Sequence, residues 1–156
     1  MFGHIKSIEI VVDYRIEPVA NINGSGGRLG MTQMLNVLSG FSNMDGYKVV
    51  TSDHTFHVLI DNGQSCCESW GYFSSEDDLS QYVGSVLFEI NLTDKALNQL
   101  AFEQSGYFED SGGIQFVDFV TSRGTFQIAV YNAHNGYYGH GILVAKDSDI
   151  LVNDTL

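Results

Sequence analysis

The side chains of this chain best suited to bind a metal ion are two adjacent thiols and a few histidines. Cys66 and Cys67 are the only cysteines, and the stretch that holds them, NGQSCCESWGYF, also contains the only tryptophan, Trp70. Thiolate and imidazole are donors that suit Zn²⁺ in a tetrahedral site. The prediction depends on residue types, because no pair of cysteines is separated by two residues. The predicted zinc ligands are Cys66, Cys67, His134 and His140, and His54 and His57 are further histidine candidates.

Adjacent cysteines allow several interpretations. A disulfide is disfavoured because the short ring between neighbouring residues strains the bond geometry. On a regular strand Cys66 and Cys67 point to opposite faces, so only one of them could serve a site. A tight turn after Asn62-Gly63 would instead bring both thiols to one ion. The remaining alternative is that both are small buried apolar residues, as reduced cysteines commonly are.

A nucleophilic thiol is the competing chemistry. Cys66 or Cys67 would pair with a histidine, His134 or His140, to form a thiol–imidazole couple. Such a couple needs a thiolate, which positive surroundings stabilise. This segment carries acidic side chains instead, namely Glu68, Glu76, Asp77 and Asp78. Because these charges disfavour a thiolate and attract a cation, the pattern favours a metal site over a nucleophile.

The segment NAHNGYYGH, residues 132–140, contains the two late histidines. If Asn135-Gly136 is a two-residue hairpin loop, His134 and His140 lie on opposite faces and cannot share an ion. A three-residue loop with a bulge at a glycine places both rings on one face. The sequence leaves both registers open.

Alternating apolar residues predict strands over much of the chain, and turn residues separate them. The stretch GYKVVTSDHTFHVLIDNG predicts a hairpin that turns at Ser52-Asp53, and Arg123-Gly124 predicts a second turn. The other strands are predicted over residues 5–14, 85–92, 114–122, 125–133 and from 137 or 138 to 145. Helices are predicted over 31–40 and from the acidic run at 76–78 through Tyr82, and a short helix or an ordered loop is predicted over 93–103.

These elements indicate an α+β domain built on a twisted antiparallel sheet of about five to seven strands with two or three short helices. The chain is long enough for a single hydrophobic core, and residues 1–156 are predicted to form one domain. A strand–loop–helix unit is expected over 1–45 and the core sheet over 46–145.

The chain has 19 acidic and seven basic residues, which gives a formal net charge of −12. Direct binding of nucleic acid requires contacts between cationic side chains and phosphates, and this chain has too few Lys and Arg for them. The same shortage disfavours binding to acidic membranes. A basic protein partner would be attracted at a rate that depends on salt. Simple solubility is the alternative explanation of the same charge.

A partner surface is predicted where acidic and large aromatic side chains occur together, because aromatic residues dominate many interfaces. Packing of the aromatics between the cysteine segment and the last strands is the alternative. The predicted partner-binding residues are Glu76, Asp77, Asp78, Trp70, Tyr137 and Tyr138. The first residues, MFGHIKSIEI, contain no apolar run of signal-peptide length, and no segment reaches the roughly 18 apolar residues of a membrane span. We therefore expect a cytoplasmic protein with reduced thiols.

The motifs NGQSCCESWGYFSSEDDL and YNAHNGYYGHGILV resemble those of small, mostly uncharacterised proteins from phages and prophages of low-GC Gram-positive bacteria. The resemblance covers about residues 46–144, and the first 45 residues carry less of it. It implies a bacterial host cell and an inhibitor of host defence, since some proteins of this type resemble anti-CRISPR proteins against the type II effector nuclease. The resemblance also implies a bound zinc ion.

The sequence therefore leads to the hypothesis of a non-enzymatic anti-CRISPR inhibitor with a structural zinc site. It would bind a basic surface of a type II RNA-guided nuclease, whose nucleic-acid channels are positively charged, and block DNA binding or cleavage. One alternative is a zinc- or thiol-dependent hydrolase of a small substrate. A second is a metal-free interaction module of a mobile element.

Overall fold

The computed structural model describes residues 1–16, 43–108, 112–133 and 138–156. Within these ranges the chain forms nine strands, one short α-helix and one 3₁₀ turn. The strands are β1 (Ile5–Tyr14), β2 (Met44–Thr51), β3 (Thr55–Asp61), β4 (Ser69–Ser74), β5 (Leu87–Thr93), β6 (Gly113–Thr121), β7 (Gly124–Ala133), β8 (Gly141–Lys146) and β9 (Asp149–Thr155). Helix α1 covers Gln99–Gln104, and the 3₁₀ turn covers Leu79–Tyr82. No helix in the described ranges has the length and apolar content needed to cross a membrane.

The strands make two antiparallel sheets that pack against each other. The first sheet has the strand order β1-β2-β3-β8-β9, and the second has the order β4-β7-β6-β5. The sheets also join at one corner. There Phe2 donates its N–H to the carbonyl of Leu87 at 2.7 Å, and Leu87 donates to the carbonyl of Gly3 at 2.9 Å.

The interior between the sheets is built from alternate residues of each strand, because successive side chains of a strand point to opposite faces. Phe56 and Val58 of β3 point inward from the first sheet, and Phe126 and Ile128 of β7 point inward from the second. The rings of Phe119 and Phe126 stack with centroids 4.9 Å apart. Each fully buried apolar side chain contributes about 1.5–3 kcal/mol, so this layer holds the two sheets together.

The opposite face of β3 is buried as well. Leu59 packs there with Leu143 in a second apolar cluster. His57 shares this face, and its Nε2 lies 3.3 Å from the hydroxyl of Tyr14. Burial lowers the pKa of His57 to about 4, and the charge of Lys48 acts in the same direction. The buried ring is therefore neutral at pH 7.

The predicted α+β class with a single sheet is wrong. The described residues are mostly strand, arranged in two sheets, with only α1 and the 3₁₀ turn as helical elements. The helix predicted through Tyr82 stops after one turn because Val83 is already extended. Of the segment 93–103 only the end is helical, where the side chain of Asn98 accepts the N–H groups of Leu100 and Ala101. The helix predicted over 31–40 lies outside the described residues.

The strand predictions fare better, with one exception. Strand β1, the β2–β3 hairpin and the β6–β7 hairpin are confirmed, but the second turn lies at Ser122-Arg123, because Gly124 already pairs with Thr121 in β7. The final hairpin is wrong, because β7 pairs with β4 and β6 whereas β8 pairs with β3 and β9. The two registers considered for His134 and His140 therefore do not arise. Strands β4 and β9 are not predicted from the sequence.

Candidate functional site

The two thiols lie on the loop of residues 62–68 that joins β3 to β4, which we call the thiol loop. Both cysteine side chains are exposed, so the interpretation of buried apolar residues is wrong. The Sγ atoms of Cys66 and Cys67 are 3.1 Å apart. The opposite orientation expected on a regular strand does not occur here, because the loop turns between the two strands. The structure therefore presents two sulfurs side by side to solvent.

The carboxylate of Glu68 holds the thiol loop in this shape. Its Oε1 accepts the N–H of Ser65 at 2.6 Å, and its Oε2 accepts the N–H of Cys66 at 2.9 Å. The Glu68 side chain has no exposed surface. The N–H of Ser65 is the main cause that lowers the pKa of Glu68 to about 2, although burial acts in the opposite direction. A carboxylate beneath the loop is thus kept ionised by the loop's own backbone.

His140, at the start of β8, completes this buried arrangement. Its Nδ1 lies 2.6 Å from the carbonyl oxygen of Asp61, and its Nε2 lies 3.2 Å from Oε1 of Glu68. A carbonyl and an ionised carboxylate only accept hydrogen bonds, so the ring satisfies both partners when both of its nitrogens carry protons. In that form the ring is an imidazolium paired with the Glu68 carboxylate inside the protein.

Trp70 covers the His140 ring and connects it to the thiol loop. The two rings stack with centroids 5.4 Å apart and planes inclined by 27°, a geometry that favours a cationic ring on an indole face. The indole N–H donates to Oε1 of Gln64 at 2.7 Å. The Gln64 amide nitrogen donates to the carbonyls of Cys66 at 3.2 Å and Glu68 at 2.9 Å. Gln64 thus links the indole to the backbone that carries the thiols.

The predicted zinc ligands do not come together as a metal site in the described residues. No group of three or more His, Cys, Asp or Glu side chains in those ranges could hold a metal ion. Both ring nitrogens of His140 are engaged by protein oxygens, whereas the sulfurs of Cys66 and Cys67 are exposed. His134 lies outside the described residues. Zinc therefore remains a prediction from the sequence, because the described side chains do not form a complete set of ligands.

The predicted partner-binding residues lie in two places. Glu76, Asp77 and Asp78 follow the end of β4, where Asp77 and Asp78 are exposed and Glu76 is half-buried. Trp70 stands near the other end of the same strand, about 13 Å from Ser74 at the usual rise per residue. Tyr138 is 36% exposed. Tyr137 lies outside the described residues.

The acidic run is fixed to the second sheet. Asp78 caps the 3₁₀ turn by accepting the N–H of Ser80 at 2.9 Å, and hydrogen bonds from the Ser80 hydroxyl and N–H lower the pKa of Asp78. Ser75 donates its N–H to the carbonyl of Gln127 at 2.9 Å. The side chain of Asn98 donates to the Ser75 carbonyl at 2.8 Å. The acidic run therefore adjoins the start of α1.

An apolar surface around α1 is not predicted from the sequence. Leu97 and Leu100 are 48% and 62% exposed. Beside them a cavity of about 400 Å³ has aromatic walls formed by Phe102, Tyr107 and Phe116. Gln127, which sits among apolar residues of β7, is the sequence signal for this surface. Its buried amide accepts the Leu97 N–H and donates to the Lys95 carbonyl, which holds the segment before α1 against the sheet.

The family of the chain is known from a match to the model of the domain of unknown function DUF7448. The match covers residues 6–144 of the 156 residues, and the chain therefore belongs to this family. No curated protein matches the chain, and no solved structure matches it either. The family description assigns no reaction or ligand, so the chemistry of the site depends on the geometry of its side chains.

Proposed function

We propose that this member of the DUF7448 family is a binding protein that docks onto a basic surface of another protein and does not catalyse a reaction. The observation that carries the proposal is the charge of −12, which results from a shortage of Lys and Arg. A surface of one sign attracts a partner of the opposite sign and accelerates its association.

The docking surface that we propose is the acidic–apolar face, formed by Glu76, Asp77, Asp78, Leu97 and Leu100. The hydrogen bond from Asn98 to Ser75 keeps its acidic and apolar parts next to each other. Exposed apolar side chains with polar residues at their border are typical of protein interaction sites. The charges would guide a basic partner to the face, and the leucines would lose solvent contact in the complex.

The cavity beside α1 supplies a place for an anchor residue of the partner. Its walls include the rings of Phe102 and Phe116, whose centroids are 6.1 Å apart. Large side chains seated in such pockets contribute most of the binding energy of many interfaces. Asp94 and Lys95 both line the cavity, so the preference for a basic residue next to the anchor comes from the acidic run Glu76, Asp77 and Asp78. The preferred partner segment therefore combines a bulky apolar residue with lysine or arginine.

A type II RNA-guided nuclease is the partner that we propose, following the resemblance of the sequence motifs to phage inhibitors. Such nucleases bind guide and target in positively charged channels. An acidic binding protein at or beside a channel would hinder DNA binding or cleavage. A bacterial host cell is the proposed place of action.

A pull-down with RNA-loaded nuclease tests the proposal. We expect retention at low salt that decreases as salt is raised, because exposed charge pairs are screened. The double variant Glu76→Gln/Asp77→Asn is expected to weaken retention. The control is Glu9→Gln/Asp149→Asn, which removes the same charge from exposed positions on the other sheet. Absence of retention at every salt concentration, or equal loss in both double variants, would contradict the proposal.

A further inference from the structure

The structure offers a two-sulfur site on the thiol loop. The sulfurs of Cys66 and Cys67 lie 3.1 Å apart on an exposed surface, and Glu68 and Gln64 hold the backbone beneath them. We propose that this pair is a chelating dithiol for trivalent arsenicals that carry one organic substituent. The proposal is independent of the docking function.

The number of donors distinguishes between soft ions. A structural Zn²⁺ site needs four ligands, and iron–sulfur clusters are held by four cysteines. In the part of the chain that the structure describes, no third His, Cys, Asp or Glu side chain joins Cys66 and Cys67 in a metal-binding group. A monosubstituted trivalent arsenical needs only two protein sulfurs, because its own substituent fills the third position. The dithiol matches that requirement.

The distance between the sulfurs points the same way. With Zn–S bonds of about 2.3 Å, a tetrahedral zinc ion sets two sulfurs roughly 3.8 Å apart. An ion of linear coordination sets its sulfurs on opposite sides and therefore still farther apart. Trivalent arsenic is pyramidal and bonds its ligands closer to a right angle. The 3.1 Å separation of Cys66 and Cys67 suits this narrower angle.

The charge of the product also favours arsenic. The Glu68 carboxylate accepts the N–H of Cys66 at 2.9 Å, and its charge disfavours two further negative charges on the neighbouring sulfurs. A metal cation would require two thiolates here. With an arsenical R–As=O, two S–H bonds break, two As–S bonds form, and the oxygen leaves with both protons as water. Arsenic stays trivalent, no electron is transferred, and the product is neutral.

Trp70 supplies an internal reporter of this reaction. It is the only tryptophan of the chain, and Gln64 connects its indole N–H to the carbonyl of Cys66. A ligand that moves the backbone at Cys66 will alter this hydrogen bond and the surroundings of the indole. Tryptophan fluorescence should therefore change in parallel with occupancy of the dithiol.

The test is a titration of the reduced full-length chain with phenylarsine oxide, followed by intact mass and by Trp70 fluorescence. We expect one adduct per chain, with the mass of the reagent less one water. Excess glutathione should leave the adduct in place, and a competing dithiol should remove it. Cys66→Ser and Cys67→Ser should each weaken binding at least about a hundredfold, because the second bond is then no longer intramolecular.

Two controls keep the result interpretable. The cysteines are exposed, so circular dichroism should show that both serine variants fold. Trp70→Phe should keep the adduct in the intact mass and lose the fluorescence response, because Trp70 is the only tryptophan of the chain. The proposal is overturned if a single-cysteine variant retains the adduct in glutathione. It is also overturned if the wild type retains one equivalent of Zn²⁺ through desalting, since the site then has further ligands.

Discussion

Nε2 of His140 lies 3.2 Å from Oε1 of Glu68, and both side chains are shut off from solvent. The His140 ring also binds the carbonyl at the end of β3, and the carboxylate binds two N–H groups of the thiol loop. The shape of the exposed thiol loop therefore depends on a charge pair below it. This dependence makes the pair the first target for mutation.

Replacing His140 with alanine should strongly destabilise the protein. The change leaves the Glu68 carboxylate buried without its cationic partner, and breaking a buried pair from one side costs about 3–5 kcal/mol. Urea unfolding measures the loss. The control is His54→Ala, which breaks the exposed pair between His54 and Asp147, whose atoms are 2.6 Å apart. Exposed pairs contribute at most about 1 kcal/mol, so equal losses in the two variants would refute the buried imidazolium.

The stability of the protein should fall below pH 6.5 because of His57. Its pKa drops from 6.5 to about 4 on folding. Between these pH values His57 is mostly protonated in the unfolded chain and mostly neutral in the folded chain. The full stability is therefore present above pH 6.5. Below that pH the free energy of unfolding decreases by about 1.4 kcal/mol per pH unit until pH 4, which is on the order of 3 kcal/mol in all. In urea unfolding at several pH values, His57→Phe should remove this slope. The exposed-site control His4→Gln should keep it, and a slope that survives in His57→Phe would contradict the assignment.

A second loss of stability should occur at lower pH, at Glu68. Its pKa is lowered from 4.5 to about 2, so its contribution is present above pH 4.5 and disappears as the pH falls through 2. Protonation releases the N–H groups of Ser65 and Cys66, and Trp70 fluorescence should report the opening of the thiol loop. Glu68→Gln should lack this acid transition. A fluorescence signal that stays flat from pH 4.5 to 2 in the wild type would count against the role of Glu68.

Gln127→Leu should loosen the segment before α1 while leaving the sheets folded. The leucine cannot accept the Leu97 N–H or donate to the Lys95 carbonyl, which are held at 2.9 Å each. Each buried group left without a partner costs about 1–3 kcal/mol. Hydrogen exchange of the Leu97 amide should accelerate, and partner binding should weaken. Gln115→Leu is the control, because the Gln115 side chain donates to the carbonyl of Phe116 and not to the segment before α1 among the described residues, so exchange at Leu97 should stay slow there.

The sequence predicts local strands well because alternation is a property of neighbouring residues. Residues 5–14 form β1 as expected, Ser52-Asp53 lies at a hairpin turn, and the second turn lies one residue before the predicted Arg123-Gly124. Pairing between distant strands is not encoded locally. The chain crosses from one sheet to the other between β7 and β8, and no turn residue distinguishes this crossing from a hairpin. The number of sheets therefore could not be predicted.

The site is predictable only in part for the same reason. Cys66 and His140 stand out by residue type, but Glu68 is the residue that connects them. As one acid among 19, Glu68 gives no signal of burial in the sequence. The backbone carbonyl of Asp61 gives no sequence signal either, because every residue has a backbone carbonyl. Helix predictions failed where apolar residues at helical spacing, such as Leu79 and Tyr82, instead pack on the core from a single 3₁₀ turn.

The most direct test of the binding proposal is the affinity for RNA-loaded type II nuclease measured over a series of salt concentrations. We expect the dissociation constant to rise steadily with salt, and Glu76→Gln/Asp77→Asn to bind more weakly with a shallower salt dependence than the wild type. Leu97→Ser/Leu100→Ser should weaken binding at every salt concentration without changing that dependence. A complex that is insensitive to salt and to both double variants, or no complex at all, would contradict the account.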